Sequence, residues 1–203
     1  MMKSFFLLLL GLSMAYGQGD AKTIQELYAQ SYNYEQMGKY NEGIKILIPL
    51  YLRYPKGYAL NVRFGWLSYQ NKQYNDAKKY YQIASKIAPT ALDPRLGLIR
   101  IYLDTGSFDQ AQTLSYAVLK RDYYNYYANL YAIQSLIAQQ KYDIATTILF
   151  KMLALYPTDV SYLEQLAQVY QATHNRAFAP LCSDILALDP NNVFVRSLPI
   201  GVK

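Results

Sequence analysis

Residues 64–89 read FGWLSYQNKQYNDAKKYYQIASKIAP, and the marks inside this stretch return along the chain at one interval. Here Lys72-Gln73-Tyr74 precedes Ala77. Elsewhere Gly38-Lys39-Tyr40 precedes Gly43, Gly106-Ser107-Phe108 precedes Ala111, and Gln140-Lys141-Tyr142 precedes Ala145. Aromatic residues 40, 74, 108 and 142 are each 34 apart, as are the small residues 43, 77, 111 and 145. Pro55, Pro89 and, after an omission at Tyr123, Pro157 keep the same phase. A fixed period of this length is the signature of a repeat architecture.

The marks read as helix contacts, turns and helix ends. Small residues such as Ala77, Ala111 and Ala145 belong where two helix backbones approach closely. Tyr40, Tyr74, Phe108 and Tyr142 are expected to plug the turn between the helices. Gly38 and Gly106 suit the left-handed residue that ends a first helix. Pro55, Pro89 and Pro157 close second helices, because the residue before proline avoids the helical region. Asp93-Pro94 reads as a cap followed by proline in a first turn. On one side of the predicted helices lie Leu96, Ile99 and Leu103, and likewise Leu149, Met152 and Leu153.

This pattern resembles the tetratricopeptide repeat, with its Leu-Gly-like pair, central Gly-x-Tyr turn, Ala, aromatic and closing Pro. Residues 58–91 match it best, through Phe64-Gly65, Tyr74-Asn75-Asp76-Ala77, Tyr80-Tyr81, Ala84 and Pro89. The resemblance implies an all-α, right-handed superhelical solenoid of five helix-turn-helix repeats over residues 24–192. The repeats would span 24–57, 58–91, 92–125, 126–159 and 160–192, with a C-terminal tail at 193–203. Three departures carry expectations. Pro49 should kink the second helix of the first repeat. Tyr123, in place of the closing proline, should make the third junction more continuous. The fifth repeat is one residue short, and Pro180 falls in the first turn of its second helix.

In that family the first helices of successive repeats line a groove that binds partner segments. The groove positions carried over to this chain include Tyr28, Tyr32, Glu35, Val62, Trp66 and Tyr69 in the first two repeats. They give Leu96, Arg100, Tyr127 and Leu130 in the next two, with Arg63 and Arg100 as the cations. Clustered aromatics and arginine are the residue types enriched at binding hot spots. The Lys and Asn set that grips a terminal carboxylate in some members is absent from these positions. Residues Val193, Phe194, Val195 and Leu198 are expected to fold back as a makeshift cap on the last repeat. Left bare, that end would offer a surface for another protein or for self-association.

Composition fits this reading. Of 203 residues, 52% are hydrophobic, which argues against disorder. There are 23 tyrosines against seven phenylalanines and one tryptophan. Tyrosine has an apolar body and a hydroxyl that prefers water or a partner, so it suits half-buried surfaces. The net charge of +6 is spread in short pairs such as Lys78-Lys79 and Lys120-Arg121. That is a solvated helix face and not a phosphate-tracking cluster, so no nucleic-acid partner is expected.

The first 17 residues combine Lys3, an apolar run from Phe5 to Leu12, and small residues at Ala15 and Gly17. They read as a secretory signal peptide cleaved before Gln18, followed by a short lead at 18–23. Polar Gln18, Asp20 and Lys22 follow too soon for a membrane-spanning helix. The expected location is periplasmic or secreted.

One cysteine, Cys182, and one histidine, His174, exclude an intramolecular disulfide and the common zinc ligand sets. No phosphate-binding loop, His-Glu-x-x-His or Gly-x-Ser-x-Gly motif occurs. Cys182 reads as core filler in a helix, His174 as a turn residue, and no carboxylate pair stands out as acid and base. No enzyme activity, cofactor or metal is therefore expected. The function expected is an envelope interaction scaffold. The alternative is a periplasmic, chaperone-like binder of extended polypeptides.

Overall fold

The structure, a computed structural model, describes residues 24–199. The signal peptide at 1–17, the lead at 18–23 and the last tail residues, 200–203, lie outside the described residues. Every regular element among the described residues is a helix. α1 covers residues 24–36. α2 is Tyr40–Lys45, α3 Ile48–Arg53, α4 Tyr58–Gln70, α5 Tyr74–Ile87, α6 Asp93–Asp104 and α7 Phe108–Leu119. α8 is Tyr126–Ala138, α9 Tyr142–Leu153, α10 Val160–Ala172, α11 Phe178–Leu188 and α12 Val193–Arg196. This is the all-α repeat architecture that the sequence implied. The described residues divide into two compact units, one up to Pro94 and one from Arg95 onward.

One turn geometry recurs through both units. Gly38, Lys72, Gly106, Gln140 and His174, each 34 residues from the next, have φ between 53° and 70°. Each amide bonds the carbonyl three residues back, as Gly38 does to Glu35 at 2.8 Å and Gln140 to Ile137 at 2.9 Å. The next amide reaches five residues back: Lys39 to Tyr34 at 2.8 Å, Lys141 to Leu136 at 2.8 Å. This pair of bonds is the Schellman motif, which satisfies the last carbonyls of the first helix. Two residues after the left-handed one, Tyr40, Tyr74, Phe108 and Tyr142 open the second helices. Ala77, Ala111 and Ala145 have no exposed surface, as their place at the helix–helix contact requires.

In unit 1, Leu47, Leu50, Leu60, Phe64 and Leu67 form the core, with Tyr40, Tyr51, Trp66 and Tyr80 packed around it. Gly65 lets α4 meet α5: a Cβ there would lie 2.7 Å from the Tyr81 ring. Pro49 does more than kink its helix. The second helix of the first repeat stops at Lys45 and restarts as α3, with Pro49 in the new first turn. Proline has no N–H for the carbonyl four residues back, and its ring clashes there.

In unit 2, Ile133, Leu136, Leu149, Met152, Tyr162 and Ile185 are fully buried in one cluster. Cys182 belongs to the same cluster, and burial pushes its thiol pKa up. The third junction is not continuous, contrary to expectation. Residues 120–125 separate α7 from α8, as 154–159 separate α9 from α10. Side chains make the break that the missing proline would have made. Asn125 caps α8 by accepting from the Ala128 amide at 3.0 Å. Buried Asn129 donates to the Tyr123 and Asn125 carbonyls at 3.1 and 2.9 Å. Asn61, two periods earlier, does the same to Pro55 and Gly57 at 2.9 and 2.8 Å. The tail folds back partly as expected: Val195 is buried and Phe194 and Leu198 pack on the core, but Val193 is 81% exposed.

Candidate functional site

In unit 1 a cleft of about 850 Å³ lies between α1 and α4, bounded by Tyr40 of α2 and Asp93. It brings together Tyr28, Tyr32, Val62, Arg63 and Trp66 of the expected groove residues. Glu35, Gln36, Tyr40, Tyr58, Ala59 and Asp93 complete the lining. Tyr69 does not line it. Its ring packs 5.9 Å from the Trp66 ring and 6.0 Å from that of Tyr74.

Helical spacing explains the arrangement. Tyr28, Tyr32 and Glu35 follow at i, i+4 and i+7 on one stripe of α1. Tyr58, Val62 and Trp66 do the same at i, i+4 and i+8 on α4. The floor between them is ionic. Arg63 is only 6% exposed, and its guanidinium is ion-paired with the Glu35 carboxylate. It also donates to the hydroxyl of buried Ser31 at 3.1 and 3.3 Å and lies 3.9 Å over the Tyr32 ring. The other Glu35 oxygen accepts the Trp66 indole N–H. Arg63 is thus not a free groove cation: its charge is neutralised within the floor, where it holds α4 to α1.

Polar tips give the walls their character. Burial, with Tyr32 alongside, pushes the Tyr28 hydroxyl pKa upward, and Arg63 opposes this. Burial also raises that of Tyr58, helped by the Asp93 carboxylate, to which Tyr58 donates a hydrogen bond. Both phenols are therefore neutral donors at physiological pH, set among apolar ring faces.

The remaining expected residues lie in unit 2. Leu130 is buried in its core, and Leu96 is only 9% exposed. Both were expected to face a ligand; in the folded chain their side chains pack inward, because a first helix also has neighbouring helices to cover. Arg100 is half-buried, with its guanidinium 6.0 Å from the Tyr131 ring. Tyr127 is 52% exposed and packs edge-on against Tyr126 at 5.1 Å. Tyr40, Tyr58 and Asp93 were missed by the carried-over positions. Tyr58 could have been found from its place one turn before Val62 on the same stripe.

A tetratricopeptide-repeat family model matches residues 68–132. Over that stretch the chain is similar to the tetratricopeptide repeat. Solved structures share the fold. MamA from Desulfovibrio magneticus is 12% identical, with 84% of this chain and 97% of that one covered at a TM-score of 0.72. A tetratricopeptide-repeat protein from Parabacteroides merdae is 16% identical, with 86% and 70% covered at a TM-score of 0.72. YrrB, described as having an unusual peptide-binding site, is 11% identical, with 87% and 95% covered at 0.64. No curated protein matches the sequence. Among the described residues, no three His, Cys, Asp or Glu side chains gather as a metal site. None of the described helices is long and apolar enough to cross a membrane.

Proposed function

We propose that this protein is a non-enzymatic interaction scaffold that binds a segment of another protein in the α1–α4 cleft. The observation that carries the reading is the cleft itself: five half-buried or exposed aromatic residues around a pre-organised ionic floor. A rigid aromatic wall offers a segment large contact area at little cost in side-chain entropy. The repeat fold supports the same reading, since the tetratricopeptide family works by protein–protein contact. YrrB, with its peptide-binding site, supports it by analogy of fold.

The location belongs to the proposal. The charged, apolar and small-residue zones of residues 1–17 support export and cleavage before Gln18. N-terminal sequencing of the protein from an envelope fraction tests this; a chain that still begins at Met1 would contradict it.

Cross-linking in intact cells tests the scaffold. The protein should capture a saturable partner that a Tyr32→Ala, Trp66→Ala variant loses. Retention of that partner by the variant would move the site elsewhere. The aromatic lining also favours a second reading, a chaperone-like binder. Capture of many unrelated unfolded chains in place of one saturable partner would select it.

A further inference from the structure

The α1–α4 cleft carries an uneven charge. Of the described residues that line it, Glu35 and Asp93 are acidic and Arg63 is basic. Arg63 is ion-paired with Glu35. Asp93 is exposed, with the Tyr58 hydroxyl as its partner, and no cation besides Arg63 is among those lining residues. The whole chain carries +6, so an acidic cleft is a local feature that runs against its net charge.

We propose that the cleft recognises a lysine or arginine side chain on the protein segment that occupies it; this rests on the cleft being the binding site argued above. The floor already shows how such a cation is held. Arg63 is gripped by the Glu35 carboxylate and lies over the face of Tyr32. Asp93, with the ring of Tyr58 and the half-buried indole of Trp66 in the same cleft, supplies the same two elements for a cation from outside. Cations bind aromatic faces and carboxylates together, most strongly where water is displaced. An acidic segment would face Asp93 with Arg63 already neutralised. A purely apolar segment would cover the Asp93 carboxylate without a compensating charge, which is costly.

The test is to pan a phage-displayed library of random decapeptides on the purified protein. The best-enriched peptides, and counterparts with each Lys or Arg replaced by Gln, are then titrated calorimetrically. Enriched peptides should be rich in Lys or Arg, and the Gln counterparts should bind about tenfold more weakly. On Asp93→Asn that difference should shrink, while Asp143→Asn, an exposed acid on α9, should keep it. Peptides that depend on Trp66 but bind equally well with Gln would overturn the cation preference and leave the cleft as a binding site. Enrichment of acidic peptides would do the same. Failure to enrich any peptide, or undiminished binding to Trp66→Ala, would remove the cleft reading and this inference with it. The Lys-to-Gln comparison is made on the unaltered protein, so it stands even if a variant folds poorly.

Discussion

The guanidinium of Arg63 on α4 lies 3.9 Å over the centre of the Tyr32 ring on α1. The two helices come from successive repeats, and this contact, with the Glu35 ion pair, sets the floor of the cleft. Removing Glu35 strands a buried charge, whereas removing Arg63 leaves a carboxylate that is 23% exposed and can hydrate. Breaking a buried pair costs about 3–5 kcal/mol, and the opening to solvent lowers this. Glu35→Gln should therefore destabilise by about 2–3 kcal/mol, and Arg63→Met by less. Urea denaturation of both variants checks the order.

High pH should weaken the fold through its tyrosines. Burial raises the hydroxyl pKa of Tyr162, Tyr131, Tyr126, Tyr80, Tyr58 and Tyr28 above the usual value near 10. A phenol held neutral in the fold but ionised in the unfolded chain contributes stability that is complete below pH 10 and lost as pH rises beyond it. Each such group removes at most about 1.4 kcal/mol per pH unit. Tyr162 is fully buried and donates to the Tyr126 carbonyl at 2.7 Å. Tyr162→Phe should cost about 1–2 kcal/mol at pH 8 and make the decline above pH 10 shallower. Denaturation midpoints at pH 8, 10 and 11 for both proteins measure this.

Gly65 sets how closely α4 meets α5. An alanine normally strengthens a helix by about 1 kcal/mol over glycine. Here its methyl would press on the Tyr81 ring at 2.7 Å, and Tyr81 is buried with little room to shift. Overpacking costs about 1–3 kcal/mol, so Gly65→Ala should lower stability, by about 1 kcal/mol net. A rise in thermal midpoint would show that the helices separate freely.

Lys72 and Gln140 adopt the left-handed conformation that Gly38 and Gly106 adopt at the equivalent turns. A side chain there costs roughly 1–2 kcal/mol, offset in part by glycine's greater loss of freedom. Lys72→Gly and Gln140→Gly should each stabilise by about 0.5–1 kcal/mol. The two should add, since the turns are in different units. Thermal denaturation of the single and double variants checks both statements.

Much of the fold was legible because a 34-residue period repeats its physical causes: small residues at helix contacts, an aromatic after four of the five turns, and a left-handed residue in each turn. The period even marks Lys72, Gln140 and His174 as left-handed by phase, where residue type alone would not. The third junction was misread because a missing proline says nothing about other ways to stop a helix. Asn125 and Asn129 stop it with side-chain hydrogen bonds, and these depend on where the loop carbonyls come to lie. The cleft was legible in part. Spacing put Tyr28, Tyr32, Val62 and Trp66 on facing stripes, but groove positions do not separate Leu130, which packs into the core, from Trp66, which reaches the cleft. The pairing of Arg63 with Glu35 joins residues 28 positions apart, so no local pattern could announce it.

Site-specific photo-cross-linking tests the central claim most directly. A benzoylphenylalanine placed at Val62, inside the cleft, is compared in intact producing cells with one at Leu155, an exposed residue of unit 2. The account predicts a discrete, saturable protein adduct from position 62 and none from position 155. An adduct from 155 with none from 62 would contradict it.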